Sequence, residues 1–175
     1  DISCNLGSTN IPNLLKSNDF EKSVDTMVRA LTFVTNTSSI DSVPSIKNGN
    51  DKAHTIGLGA MGLHTAFAMN QIMYGSPESI ELTDAYFLAL NYYTLLSSNQ
   101  IARQRGESFY NFDKSDYYSG KYFDKYTEEE FSFKSEKVSK IFENIEIPST
   151  WDWLRLKEDV RLYGLYHQNR LAIAP

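Results

Sequence analysis

The feature that most constrains the fold is an apolar run, IGLGAMGLHTAFAM, at residues 56–69. Drawn as a helix, the run has apolar side chains on every side, which is typical of a helix buried in a protein core. Gly57, Gly59 and Gly62 interrupt it, and each glycine weakens a helix by roughly 1 kcal/mol relative to alanine. We therefore predict a buried helix that is held by close packing, with glycines where neighbouring backbones approach it.

The same run contains the spacing G-x-G-x-x-G, which is also the fingerprint of dinucleotide-binding proteins. That fingerprint requires a strand directly before it and a helix after it. The preceding residues 47–54, KNGNDKAH, are polar and lack a strand pattern. The sequence thus favours the buried helix, and dinucleotide binding through GLGAMG stays open as an alternative.

The composition favours one packed domain. Hydrophobic residues make up 41% of the 175 residues, which is enough for a core. The net charge of −5 argues against a nucleic-acid surface, because such surfaces concentrate Lys and Arg. The single cysteine, Cys4, cannot form an internal disulfide, as is common in reducing compartments. The sequence shows neither a signal-peptide pattern nor an apolar run of membrane-spanning length, so we predict a cytoplasmic protein with no membrane partner.

The two ends of the sequence are unusual for a free-standing domain. It starts at Asp1 without a methionine and stops after the apolar residues LAIAP at 171–175. Domain ends are usually poorly ordered and lie at the surface. We expect a piece of a larger protein, with residues 1–175 forming a single incomplete segment.

Capping signals predict one long helix in the middle of the chain. Ser76 is a typical N-cap, Pro77 suits the first helical position and Glu78 suits the first turn. Gly106 is a typical stop signal. We therefore predict a continuous helix over residues 77–105, so apolar in its middle that it must be covered nearly all round.

Other helices are predicted on either side of it. A hydrophobic stripe indicates a helix from Asn18 onward, with Asn18 as its cap. Pro44 is expected to end regular helix and to lie in an extended link. A short amphipathic helix is predicted before Pro148, and another that Ser149 or Thr150 caps and Gly164 ends.

Short strands are predicted at both ends, over residues 2–5 before a turn at Gly7, and over residues 170–174. With helices between them, this order suggests an α/β layout from which most strands are missing. Cys4 lies in the first of these strands. A lone cysteine is most often a small buried hydrophobe, and from this residue alone that interpretation is favoured over a reactive thiol.

Residues 107–136 interleave aromatic side chains with charges. Aromatic residues at such spacing can stack on nucleic-acid bases. The stretch carries eight acidic and four basic residues, however, which is the wrong balance for binding phosphates. We predict a loop-rich surface insertion that its aromatic residues hold in place.

No pattern predicts a complete active site. His54, His64 and His167 lack partners at metal-ligand spacing, so we expect no metal site in this chain. His64 falls in the apolar run and is predicted to be a hydrogen-bonded core histidine. Carboxylates are plentiful but stand mostly in solvated runs such as residues 128–130.

Six short blocks cover the chain from end to end. They are DISCNLGS at 1–8, SVPSI at 42–46, HTIGLG at 54–59 followed by Met61, Leu63 and His64, YGSPE at 74–78, IARQRG at 101–106, and YG at 163–164 through QN at 168–169 to AP at 174–175. Taken together and in this order, they resemble the large catalytic subunit of ribonucleotide reductase, in the class Ib form of bacteria and their phages. Gly62 and His167 depart from the family's pattern, since asparagines are expected there.

The resemblance implies an α/β fold, a ten-stranded α/β barrel, of which this chain would be a mainly helical part with two or three strands. The family reduces ribonucleoside diphosphates with a thiyl radical, and two further cysteines supply electrons and become a disulfide. Cys4 matches one cysteine of that pair, which reverses the interpretation reached from the residue alone. Its partner, the radical cysteine and a catalytic glutamate are expected before Asp1. The loop that holds the substrate's phosphates is expected directly after Pro175.

The resemblance also implies what the chain works with. The expected partners are the remainder of the catalytic subunit, a radical-generating small subunit that holds a metal, a glutaredoxin- or thioredoxin-like reductant and a ribonucleoside diphosphate. No cofactor is expected in this chain itself, and nucleotide effectors would act on the full enzyme. The chain alone is expected to be inactive. The alternative is a helical protein-interaction module, which should be monomeric and unfold in one sharp transition.

Overall fold

The computed structural model describes residues 3–38 and 40–173, and within them the chain folds into two strands and eight α-helices. The strands are β1 (Asn5–Asn10) and β2 (Ile56–Met61). The helices are α1 (Ile11–Leu15), α2 (Phe20–Thr37), α3 (Pro44–Ala53), α4 (Leu63–Met69), α5 (Pro77–Arg105), α6 (Asp124–Thr127), α7 (Glu136–Ile141) and α8 (Thr150–Tyr163). Two single 3-10 turns, Phe112–Lys114 and Lys121–Phe123, lie between α5 and α6.

The two strands run parallel and side by side, with Asn5 opposite Ile56 at the start of the register. Leu171 contributes a third parallel segment, because it forms a bridge with Leu58 on the other edge of β2. The strand predicted over residues 170–174 is present as this short segment, and positions 174 and 175 lie outside the described residues. Parallel strands connected through helices are the arrangement of α/β proteins.

The sheet has one covered face and one open face. Successive residues of a strand point to opposite faces, and in β2 Ile56 and Leu58 are buried against the helices. The open face carries the alternate residues of both strands. Two of its large apolar side chains are exposed, Leu6 at 58% and Met61 at 45%, so the described helices do not cover it. The open face consists of Leu6, Ser8 and Asn10 from β1 and Gly57, Gly59 and Met61 from β2.

The prediction of one buried helix over residues 56–69 is wrong. The first part of the run is β2 and the second part is α4, and Gly62 separates them in the left-handed backbone conformation, with φ 82°. A strand buried between neighbouring strands and helices needs apolar residues throughout, as a buried helix does. Helix α4 buries Ala66 and Phe67, whereas His64 lies on its exposed side and is not the core histidine that the sequence predicts.

Three boundaries also differ from those predicted. β1 begins where the first strand was expected to end, at Asn5, so Gly7 lies within a strand and not in a turn. The cap of α2 is Asp19 and not Asn18, because the Asp19 side chain accepts a hydrogen bond from the first turn. Pro44 starts α3 instead of ending a helix, since its fixed φ and missing N–H suit the first helical position.

Helix α5 matches its prediction at both ends. The Ser76 side chain accepts a hydrogen bond from the backbone N–H of Ser79, and Gly106 ends the helix at φ 65°. Helices α2 and α8 pack against it. Its Tyr86 is fully buried and places its hydroxyl 2.7 Å from Thr9 Oγ1, so α5 rests directly on the covered face of the sheet. None of the helices in the described ranges, α5 included, is long and apolar enough to span a membrane.

The aromatic stretch at residues 107–136 is loop-rich, as predicted. Its rings pack on one another and on α8, where Trp153 stacks on Tyr126 with the ring centroids 4.1 Å apart. The result is a second buried cluster beside the main core. It consists of Leu95, Phe109, Phe123, Trp153, Leu156, Val160 and Leu165.

A buried histidine, His167, connects helices α2 and α5 to the residues that precede the third parallel segment. The Nε2 atom of His167 lies 2.8 Å from Thr32 Oγ1 on α2, and its Nδ1 lies 2.9 Å from Ser98 Oγ on α5. Burial lowers the pKa of His167 to about 3, and the positive charge of Arg170 adds to that effect. The ring is therefore neutral in the folded protein at neutral pH, with a partner for each nitrogen.

This histidine should make stability fall below about pH 6.5, the ordinary pKa of histidine in an unfolded chain. Between that pH and about 3 the unfolded chain binds a proton that the folded chain does not, so protonation favours unfolding. At pH 5 the loss attributable to His167 is about 2 kcal/mol. His167→Asn removes the titrating group and keeps hydrogen-bonding atoms. Urea unfolding of both proteins should show their stability difference change by this amount between pH 7 and pH 5, and an equal difference at both pH values would contradict the assignment.

Candidate functional site

Cys4 lies immediately before β1 and is exposed. By the alternation of strand residues it shares the open face with Leu6. Its Sγ atom lies 3.0 Å from the point where a Cβ on Gly57 would stand, which places the thiol above β2. Ala172 approaches the same point from the third segment, with its Cβ at 2.9 Å. The thiol therefore lies on the uncovered side of the sheet, between the first and third parallel segments.

The electrostatic surroundings of the thiol keep it protonated. Its Sγ lies 3.9 Å from the backbone carbonyl oxygen of Asn5, a long contact even for sulfur. Partial burial raises the pKa of Cys4. A nucleophilic cysteine instead needs a lowered pKa, supplied by a helix N-terminus or a neighbouring cation. Partial burial therefore disfavours the thiolate form of Cys4.

The rest of the open face resembles the inside of a protein more than its surface. Leu6 and Met61 are large apolar side chains that remain largely exposed next to the bare backbone of Gly57 and Gly59. In α/β proteins both faces of a parallel sheet are normally covered. The open face around Cys4 is therefore a surface on which further protein or a ligand can pack.

The glycines of the GLGAMG run do not form a phosphate-binding turn. Gly57 and Gly59 lie inside β2, where their residues pair with β1. Gly62 is the residue before α4 and packs close to Pro12, with 3.1 Å between the Cδ atom of Pro12 and a Cβ added to Gly62. The dinucleotide fingerprint needs its glycines in the turn that follows a strand. This geometry does not support the dinucleotide alternative.

The other residues considered from the sequence are not gathered around Cys4. His54 stacks on Tyr166 with ring centroids 4.2 Å apart and lies 3.5 Å from a Glu107 carboxylate oxygen, so it fastens loops together. His167 is on the covered side of the sheet, in the network described above. Across the described ranges, no three His, Cys, Asp or Glu side chains are grouped so that they could hold a metal ion. Pro175, predicted to border the phosphate loop, lies outside the described residues.

Sequence reasoning missed the residues that surround the thiol. Gly57, Leu6 and Ala172 come from three separate parallel segments, and only the register of the sheet brings them to Cys4. One signal was available, because an isolated glycine within a strand often marks a close approach of another group. That signal applies only to a strand, so it does not arise when residues 56–69 are predicted to be a helix.

Comparison with known proteins gives consistent matches. The whole chain, residues 1–175, matches the family model described as ribonucleotide reductase, barrel domain. The chain is 45% identical over 175 residues to ribonucleoside-diphosphate reductase NrdEB subunit alpha of Bacillus subtilis and 43% identical to ribonucleoside-diphosphate reductase subunit alpha of the same organism. It is 39% identical over 181 residues to ribonucleoside-diphosphate reductase subunit alpha of Mycoplasma pneumoniae.

All of the chain is aligned in each of these matches, but it covers 16%, 25% and 25% of the respective relatives. The chain thus spans about a sixth to a quarter of the length of the curated relatives.

Parallel strand segments with helices packed on one face are what part of an α/β barrel contains. The family match and the alignments over the whole of this chain also outweigh the interpretation as a helical interaction module. The chain belongs to the barrel-domain family of ribonucleotide reductases.

Proposed function

We propose that this chain forms part of the catalytic barrel of a ribonucleoside-diphosphate reductase and contributes Cys4 as one of the two cysteines that reduce the substrate. The observation that carries the proposal is the position of the thiol. Cys4 is the single cysteine of the chain, and it is exposed immediately before β1, on the face of the sheet that the described helices leave open. An exposed thiol on such a face can reach both a substrate and a second cysteine.

The proposed reaction balances with two thiols. A ribonucleoside diphosphate and two cysteine thiols give a deoxyribonucleoside diphosphate, one disulfide and one water molecule. The two sulfurs supply the electron pair and are oxidised, and the ribose carbon is reduced. One thiol proton leaves with the hydroxyl group as water, and the other ends in the new C–H bond of the ribose. The raised pKa of Cys4 suits this step, because a protonated thiol carries the proton that the departing hydroxyl needs.

The other components come from outside this chain. The second reducing cysteine, the radical cysteine and the glutamate would be supplied by the remainder of the catalytic subunit, and Pro175 would border the loop that holds the substrate's phosphates. A small subunit with a metal would generate the radical, and nucleotide effectors would act on the full enzyme. A dithiol protein such as a glutaredoxin or thioredoxin would then reduce the disulfide by thiol–disulfide exchange. We further propose that the protein works in the reducing environment of the cytoplasm, where such dithiol proteins act.

Single-turnover trapping tests the role of Cys4. The full-length protein that carries this chain is reduced, freed of reductant and mixed with its small subunit and cytidine diphosphate, and free thiols are then blocked with N-ethylmaleimide. We expect deoxycytidine diphosphate to appear together with a disulfide-linked peptide that contains Cys4, and neither to appear when the substrate is left out. Deoxynucleotide formed while Cys4 is recovered fully alkylated would refute the proposed role.

A further inference from the structure

We infer that Gly57 is a positioning residue for the Cys4 thiol: its bare backbone leaves the space in which the sulfur rests on β2. The inference depends on the proposed function only for its catalytic consequence. The geometry is independent of it. A Cβ added to Gly57 would stand 2.5 Å from Leu6 Cδ2, 2.9 Å from Ala172 Cβ and 3.0 Å from Cys4 Sγ. Real Cβ atoms essentially never approach other atoms as closely as the first two distances, and the third, to the sulfur, is tight enough that the sulfur must move by a few tenths of an ångström. A side chain at position 57 must therefore displace at least one of the three neighbours.

The backbone conformation does not explain why a glycine occupies this position. Gly57 is absent from the described residues with positive φ, whereas Gly62 is among them. Within a strand, glycine lowers stability for two reasons. It loses more conformational entropy on folding than other residues do, and it has no side chain to pack. The gain that offsets this cost at Gly57 must come from what the missing side chain leaves room for. The neighbours of that space are Cys4, Leu6 and Ala172.

The three neighbours differ in how easily they can move. The Cβ of Ala172 is bonded to the backbone of the third segment and can move only with it. The Leu6 side chain is 58% exposed and can rotate towards solvent. The Cys4 thiol is exposed at the end of a single rotatable bond, so it too would be pushed away from the sheet. A methyl group at position 57 should therefore lift the sulfur towards solvent.

Such a shift matters because a disulfide has strict geometry. The Cβ atoms of the two cysteines must lie about 3.5–4.5 Å apart with a dihedral angle near 90° about the S–S bond. Strain in this geometry raises the reduction potential and makes the bond easier to break. A displaced Cys4 should thus be more accessible to reagents but worse at forming its disulfide.

The test uses Gly57→Ala in the full-length protein, with Gly7→Ala as the matched control. Gly7 lies in the adjacent strand, but an added Cβ would point to the covered face and stand 3.4 Å from Leu31 Cδ2, an ordinary contact. Two readouts are measured by mass spectrometry of the Cys4 peptide. They are the rate of alkylation by iodoacetamide and the equilibrium between the Cys4 disulfide and glutathione.

We expect Gly57→Ala to speed the alkylation of Cys4 at least about threefold and to shift the disulfide equilibrium towards the thiols by about tenfold or more. Turnover should fall in parallel with that equilibrium, whereas Gly7→Ala should change neither readout. A folded Gly57→Ala protein with the wild-type alkylation rate and the wild-type equilibrium would overturn the inference.

A second pair of variants covers the case in which Gly57→Ala does not fold. Leu6→Ala removes the nearest of the three neighbours, so in the double variant Leu6→Ala/Gly57→Ala the new methyl group no longer meets the Leu6 side chain but still meets Ala172 and Cys4. Relative to Leu6→Ala alone, the double variant should still show faster alkylation of Cys4, and an unchanged rate would again overturn the inference. If Cys4 forms no disulfide even in the wild-type protein, the proposed function fails, but the alkylation rates still report on Gly57.

Discussion

Replacing Cys4 by serine in the full-length protein is expected to reduce multiple-turnover formation of deoxynucleotide to the background rate. Serine retains nearly the same size, and its hydroxyl can donate to the same Asn5 carbonyl oxygen, but it cannot form a disulfide. The fold should be unaffected, because the Cys4 side chain is exposed and, among the described residues, its hydrogen bonding is a single long contact to the Asn5 carbonyl. Substrate binding should also persist, since it depends on phosphate and ribose contacts and not on this thiol.

The measurement compares turnover, thermal unfolding and substrate binding in Cys4→Ser and in a matched variant, Met61→Leu. Met61 lies on the same open face and is 45% exposed, and its replacement by leucine roughly conserves volume. We expect Met61→Leu to keep most of the activity. The loss of turnover in Cys4→Ser would then be due to the missing thiol and not to a general disturbance of the open face. Normal multiple turnover by a folded Cys4→Ser protein would remove the chemical role assigned to this chain.

Replacing Trp153 by alanine is expected to lower the free energy of unfolding by about 3–5 kcal/mol. Trp153 is 1% exposed and stacks on Tyr126, and Tyr92 of α5 meets it edge-on with ring centroids 5.0 Å apart. Its removal would leave a large cavity at the centre of the second cluster. It would also loosen the attachment of the aromatic stretch to α5 and α8.

The chain offers a control two residues away on the same helix. Trp151 is 63% exposed, so Trp151→Ala deletes the same side chain without opening a cavity and should cost at most about 1 kcal/mol. Urea unfolding followed by far-ultraviolet circular dichroism measures both, because fluorescence would change with the loss of either tryptophan. Similar losses for the two variants would show that Trp153 is not the centre of a packed cluster.

The sequence was most informative where local chemistry decides structure. The limits of α5 follow from Ser76 and Pro77 at one end and Gly106 at the other, and each of these residues acts on backbone groups within its own turn. The cap at Ser149 and the stop at Gly164 fixed the limits of α8 in the same way. Pro44 shows the limit of such signals. A proline is compatible both with the end of one helix and with the first position of the next, and only the following residues decide between them.

The error at residues 56–69 has a different origin. A strand with apolar residues or glycine on both faces and a buried helix both lack polar positions, so periodicity does not distinguish them. The register with β1 and the third segment makes residues 56–61 a strand, and those partners are far away in the sequence. The site shows the same limit. The resemblance pointed to Cys4, but its neighbours are set by the sheet and not by any local pattern.

The parallel sheet also has a consequence for how the protein forms on the ribosome. Strand β2 can pair with β1 as soon as it is made, but its other edge waits for Leu171, about 110 residues later, which takes roughly 6 to 20 seconds at ordinary rates of synthesis. Throughout that interval β2 presents an unpaired edge, the kind of surface on which nascent chains join one another. Gly57 and Gly59 give this short strand a low intrinsic tendency to extend foreign sheets. Gly57, which leaves room for the thiol in the finished protein, thus also lowers the tendency of the incomplete chain to aggregate.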